Sequence, residues 1–190
     1  MSRAFWFTKK GAKNVNPNPE VGEEETASFC EGSVLDFGCG FGRMATALCT
    51  HRALALGSWY LGVDIVPQRI QAVHKTHTPA HFQVIDSHFD LLGLSQFDTV
   101  LARSVLQHVE DDEIEDTLVS LTTAARTAVV VCEHLGREKW GKASFSYNRD
   151  FEAYDDILRS LGFDLSKRLE IPNPRYNNEP ASLLQWTRHG

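Results

Sequence analysis

Apolar positions along the chain fall into short dense runs separated by longer segments with helical rhythm. Val34, Leu35 and Phe37 form a run of the kind buried in a parallel sheet. Trp59–Asp64, His81–Asp86, Phe97–Leu101 and Ala128–Cys132 read as four more strands, the last apolar throughout, as a strand covered on both faces is. Helices are expected between them. Glu23–Phe29 leads into the first strand, Gly42–Leu54 follows it, and Pro67–Val73 follows the second, with its proline near the first turn. Ile114, Leu118, Leu121 and Ala125 keep the i, i+4, i+7, i+11 spacing of an amphipathic helix, and the run Glu110–Glu113 offers acids to its first turn. Tyr154, Ile157, Leu158 and Leu161 make a last helix closed by Gly162. Phe163–Leu169 and Leu183–Trp186 are two final strands, set apart by Pro172, Pro174 and Pro180 with no helix between them.

Strand–helix alternation predicts an α/β fold: a doubly wound, mostly parallel sheet with helices on both faces, ending in a hairpin. A length of 190 residues suits one domain with a proper core. The formal net charge of −6 argues against a nucleic-acid partner, because phosphate contacts need a basic stripe. The one tight basic cluster, Lys9, Lys10 and Lys13, reads as a solvated tail. Four cysteines at 30, 39, 49 and 132 have no zinc-like spacing and read as small buried residues of a reducing compartment. No apolar run reaches membrane-spanning length and no signal-peptide core opens the chain, so a cytoplasmic protein without membrane contact is expected. His74, His77 and His81 invite a metal, but Thr76, Thr78 and Pro79 break any shared face, so none is expected.

The chemistry concentrates at Ser33–Arg43. A strand runs into Gly38, Gly40 and Gly42 and then into a helix start, which together make a nucleotide cradle. Asp36 decides what kind. A dinucleotide turn lays a pyrophosphate on the helix N-terminus, and a carboxylate beside it would repel that anion. An acid within a G-x-G-x-G spacing suits a ligand carrying positive charge.

Asp36-Phe37-Gly38-Cys39-Gly40-Phe41-Gly42 resembles the first motif of the class I S-adenosylmethionine (SAM)-dependent methyltransferases, (Asp/Glu)-x-Gly-x-Gly-x-Gly, at every fixed position. The resemblance covers about Ser33–Val131 well. It implies SAM as cofactor, no metal, and a seven-stranded sheet of order 3-2-1-4-5-7-6 with the last strand antiparallel. Asp64, 28 residues after Asp36, then stands where an acid reaches the ribose hydroxyls, with Ile65 against the adenine; capping the helix Pro67–Val73 is its plainer alternative. Asp86 and Ser87 stand in the place that holds the adenine amino group and ring nitrogen, or form an ordinary Asx turn. Cys39, Arg43, Ala102 and Arg103 complete the expected cofactor contacts, the two arginines toward the SAM carboxylate, an anionic substrate or surface acids. Phe97-Asp98-Thr99-Val100 with Val105-Leu106-Gln107-His108 resembles the fourth-strand motif of the small-molecule branch, and it lacks the signatures of the DNA enzymes.

The acceptor side has its own candidates. His108 follows the fourth strand and is a possible general base or a loop anchor. Glu133 and His134 leave the fifth strand toward the same crevice. Trp6, Trp140, Phe145 and Tyr147 could wall an acceptor, or pack in the core. The expected organisation is one domain: a lid or extension at 1–32, a SAM-binding core at 33–135 and a substrate-side loop with the last helix and hairpin at 136–190. A small-molecule O- or N-methyltransferase, monomeric or homodimeric, heads the readings. A macromolecular methyltransferase needing a partner subunit, a non-catalytic SAM-binding module and a dinucleotide oxidoreductase are the competitors.

Overall fold

The structure, a computed structural model, describes residues 22–52, 59–75, 81–136, 147, 149–172 and 180–190. Its elements are α1 (Glu23–Phe29), β1 (Val34–Phe37), α2 (Arg43–Arg52), β2 (Tyr60–Asp64), α3 (Pro67–Val73), β3 (His81–Val84), β4 (Phe97–Arg103), α4 (Ile114–Ala124), β5 (Ala125–Glu133), α5 (Phe151–Ser160), β6 (Phe163–Ile171) and β7 (Ala181–Arg188). Two 3-10 turns, His88–Gly93 and Leu106–His108, follow β3 and β4. One seven-stranded sheet holds all the strands in the order β3-β2-β1-β4-β5-β7-β6. Strands β1 to β5 pair in parallel, and β7 runs antiparallel to both β5 and β6.

Alternation within each strand divides the core into two layers. Leu35, Val100, Val129 and Val131 face the layer completed by Leu118 and Leu121 of α4 and Tyr154 and Leu158 of α5. Val34, Leu101, Val130 and Cys132 face the layer completed by Ala27 of α1, Met44 and Leu48 of α2, and Ile70 of α3. Every position of β1 is buried, which explains its lack of polar alternation. Trp186 closes the first layer: it is fully buried and donates through Nε1 to Asp155 Oδ1 at 2.7 Å.

Local boundaries differ from the expectation where two elements meet without a loop. Helix α4 ends at Ala124 and β5 begins at Ala125, so the rhythm that carried Ala125 into the helix belongs partly to the strand. Glu115 and Asp116, rather than the run Glu110–Glu113, supply the acids of its first turn. Gly162 does close α5, with φ at 84° just beyond the C-cap Leu161.

Candidate active site

Strand order reverses between β1 and β4, and a crevice outside the C-terminal ends of the strands is the consequence at such a point. Asp36, Asp64, Arg103 and Glu133 all come from those ends. The glycine turn after β1 is built by three left-handed glycines, Gly38 (φ 73°), Gly40 (φ 58°) and Gly42 (φ 74°). Its backbone is fastened to β2: the N–H groups of Gly38 and Cys39 both donate to the Val63 carbonyl, at 2.8 and 2.9 Å. A Cβ on Gly38 would stand 2.5 Å from the Val105 side chain, whereas one on Gly40 would meet only a backbone oxygen at 4.0 Å. The turn is tight on one side and open on the other.

Asp36 lies under this turn, 2 % exposed, and accepts from the Tyr60 hydroxyl at 2.7 Å. Burial pushes its carboxyl up to about 6, opposed by the Tyr60 hydrogen bond and the Arg103 charge. Asp64 is also buried, and three segments converge on it. Its Oδ2 accepts from Gly40 N–H at 3.0 Å and lies 3.4 Å from Arg69 Nη1, while Oδ1 accepts from Val66 N–H at 2.8 Å. Helix α3 takes Val66 as N-cap with no side-chain cap bond, so Asp64 braces the approach to the helix without capping it. Ile65 is partly buried against the first core layer.

Past β3, Ser87 and Asp90 form a capping box at the start of the 3-10 turn His88–Gly93. The backbone N–H groups of Asp86 and Ser87 point to Asp90 Oδ2, at 2.5 and 3.3 Å, and Asp86 is exposed. As folded, this stretch is a capped turn that Asp90 organises. Ala102 is buried in β4, and Arg103 is half-buried at its end, close enough to lower the carboxyls of both Asp36 and Glu133. Arg43 opens α2 and lies 3.9 Å from Glu23.

Beyond β4 the chain turns sharply at Ser104, the one non-glycine residue with positive φ (53°) among the described residues. Strain of that kind persists where surrounding contacts over-determine it, and here they do. Glu133, 1 % exposed, accepts through Oε1 from Val105 and Leu106 N–H at 2.7 and 2.8 Å. Burial pushes its carboxyl up to about 7 against those hydrogen bonds. From the other side buried Arg149 donates to the carbonyls of Leu106 and Val109, at 3.0 and 2.8 Å, and to Asp111 Oδ1 at 2.7 Å. Tyr147 adds a backbone bond to the Gln107 carbonyl at 2.7 Å, and Arg149 lies 5.5 Å from its ring centroid. An acid thus holds the donors and a base the acceptors of one turn, Leu106–His108, which presents half-buried His108. His134, just past β5, has its Nδ1 3.2 Å from the Pro180 carbonyl, before β7.

The structure therefore gathers Asp36, Gly38, Cys39, Gly40, Gly42 and Asp64 around one turn, and His108, Glu133 and Tyr147 around the next. Trp6, Trp140 and Phe145 lie outside the described residues. Three contributors escape sequence reasoning: Tyr60, Arg69 and Arg149. Tyr60 pairs in register with Val34, two residues below Asp36 on the same face, so the register alone could have nominated it. Among the described residues no His, Cys, Asp and Glu cluster could hold a metal ion, and no helix is long and apolar enough to cross a membrane.

Comparisons agree with this geometry. Residues 35–127 match the family model of a methyltransferase domain. Magnesium protoporphyrin IX methyltransferase (ChlM) from Synechocystis PCC 6803, solved with bound S-adenosylhomocysteine (SAH), superposes with a TM-score of 0.72 at 17 % identity, covering 98 % of each chain. The 1,6-didemethyltoxoflavin-N1-methyltransferase from Burkholderia thailandensis gives 0.68 at 16 % identity, over 90 % of this chain and 80 % of that one. A putative methyltransferase complex with the Trm112 activator from Haloferax volcanii also gives 0.68 at 16 %, over 98 % and 91 %. At these identities the likeness is one of fold. No curated protein matches the sequence. The sheet order and the acidic glycine turn define the class, a SAM-dependent methyltransferase fold of class I. Within that fold, residues 35–127 are the part that matches the methyltransferase-domain model.

Proposed function

We propose that the protein moves the methyl group of SAM to an oxygen or nitrogen atom of a small molecule. The observation that carries this reading is the pair of buried carboxylates, Asp36 and Asp64, on either side of a glycine turn with open space above Gly40. Such a cradle fits a cationic nucleoside ligand and disfavours a pyrophosphate. When bound, SAM supplies an electrophilic methyl group on a sulfonium. Asp36, once ionised, gives the cationic end a negative field; Asp64 offers its remaining lone pair, on Oδ1, to a ribose hydroxyl. Helix α2 has no acid in its first turn, so its positive end stays available to a carboxylate, with Arg43 and Arg103 beside it. Ile65 packs along the adenine, and Asp86 and Ser87 line its polar edge.

Methyl transfer is an in-line displacement, and alignment alone can contribute roughly 7–11 kcal/mol. The chain meets that need by fixing the turn that carries His108. There His108 takes a proton if the acceptor arrives protonated, Glu133 holds the turn from below, and Tyr147 walls the acceptor. His134 borders the far side of the crevice. The protein works in the cytoplasm as a monomer or homodimer and takes no metal. Residues 1–32 serve as a lid or extension, 33–135 as the cofactor core and 136–190 as the acceptor side.

Radiolabelled SAM offered with fractionated metabolite extract tests the reading, and label in a small-molecule product is the expected result. The Haloferax likeness favours a second reading, methyl transfer to RNA or protein with a partner subunit. Label in macromolecule only, or salt-sensitive RNA binding, selects that one. Tight SAH binding without transfer to any fraction would mark a non-catalytic module, and NADH binding in place of SAH an oxidoreductase.

A further inference from the structure

We infer that Arg69 is a positioning residue for the cofactor, aiming the Asp64 carboxylate at the ribose. The inference rests on the proposed SAM site and adds to it a residue outside the glycine turn.

Arginine is rarely buried, yet Arg69 is only 7 % exposed in the first turn of α3. Its Nη1 lies 3.4 Å from Asp64 Oδ2, and the side chains of both partners are almost wholly covered, 8 % and 3 % exposed. A covered ion pair contributes little net stability over an apolar pair of equal volume, because desolvation offsets the attraction. Stability is therefore a poor account of why a guanidinium stands here. Orientation is a better one. Asp64 Oδ2 receives Gly40 N–H and Arg69 together, and Oδ1 receives Val66 N–H, so the rotation of the carboxylate is fixed from three directions. A carboxylate has about four lone-pair directions, and with three donors placed this way the one that remains is held in one orientation. The positive charge reaches further, since Arg69 also opposes the rise of the buried Cys39 thiol inside the glycine turn. Arg69 thus joins α3, the ribose acid and the glycine turn into one frame. Its planar fork makes it unlike lysine in that position.

A double-mutant logic separates aiming from folding. Calorimetry would measure SAH and its 2′,3′-dideoxy analogue against the wild type, Arg69→Gln and Arg69→Lys. If Arg69 acts through Asp64 on the ribose, Arg69→Gln loses about tenfold in SAH affinity and less than about twofold for the analogue. Arg69→Lys should lose affinity in the same ligand-dependent way, to a smaller extent, and it carries the comparison if the glutamine variant does not fold. Equal losses for both ligands, or none for either, overturn the inference. A wild type that binds SAH and the analogue equally well overturns the ribose contact and this inference, while leaving the methyltransferase reading intact. A wild type that binds neither overturns both.

Discussion

The two ends of the sheet use the same residue types in opposite ways. At the N-terminal end, Asp98 accepts from Ser33 N–H and Oγ, at 2.8 and 2.9 Å, and pairs with Arg126. Those hydrogen bonds, Ser33 first, hold its carboxyl below the usual range. At the C-terminal end, Asp36 and Glu133 are covered more completely and pushed up to about 6 and about 7. An acid at the first end closes a structural joint between β1 and β4. The acids at the other end are kept in costly, poised states, as is common where ligands bind. Burial without full compensation separates the two ends; the number of charges does not.

The sharpest way to break this contrast is Asp64→Ala. It should lower SAH affinity about a hundredfold or more, by calorimetry. It should also cost about 3 kcal/mol in thermal or denaturant unfolding, because Gly40 N–H, Val66 N–H and Arg69 lose a buried acceptor. Asp64→Asn keeps an acceptor and should cost less in stability while still weakening SAH. An unchanged affinity in both variants would remove Asp64 from the cofactor site.

Glu133 tests the poised end through pH. Between about 4.5 and 7 the folded chain keeps a proton here that the unfolded chain releases, so stability declines as pH rises through that window. The shift corresponds to about 3 kcal/mol between the two limits. Asp36 adds a decline of the same sign between 3.8 and about 6. Glu133→Gln should flatten the part of the slope that Glu133 causes, read from unfolding curves at pH 5 and pH 8. Equal slopes in variant and wild type would show that Glu133 is ordinary.

Asp98 behaves in the reverse sense. Its folded carboxyl is lowered, so its contribution is present above about pH 4 and lost as acid protonates it. With its side chain about a third exposed, Asp98→Asn should cost only about 1 kcal/mol at pH 7 and leave SAH affinity unchanged. A change in SAH affinity would erase the distinction between the two ends.

Tyr60→Phe is the mildest test. Removing the hydroxyl takes away the hydrogen bond that lowers Asp36, so its carboxyl rises further. SAM affinity should fall about threefold at pH 6.5 and recover by pH 8, where Asp36 is ionised in both proteins. A pH-independent loss would place the effect in packing.

Much of this was legible before any coordinates. Val34–Phe37, the spaced glycines, Asp64 and the apolar run at Ala128–Cys132 are local signals, and each lies where pattern and spacing put it. The hairpin pairing of β6 and β7 was legible as well, although both strands run longer than their apolar cores, to Ile171 and from Ala181. What escaped depends on distances across the sheet. Tyr60 meets Asp36 only through the β1–β2 register, and Arg149 reaches Leu106 and Val109 from about 40 positions away. Nothing in the neighbourhood of either residue announces its partner. The 3-10 turn His88–Gly93 was missed for a different reason: its capping box is short and its apolar residues Phe89 and Leu92 face solvent.

The close approach of Val105 to Gly38 has a mechanical consequence. Val105 is the residue whose N–H Glu133 holds, and its side chain fills the space where a Gly38 Cβ would be. The turn that carries His108 and the glycine turn therefore share one seam. A displacement that lifts the His108 turn also withdraws the support of the glycine turn. On the proposed function, the acceptor side and the cofactor side would not move independently.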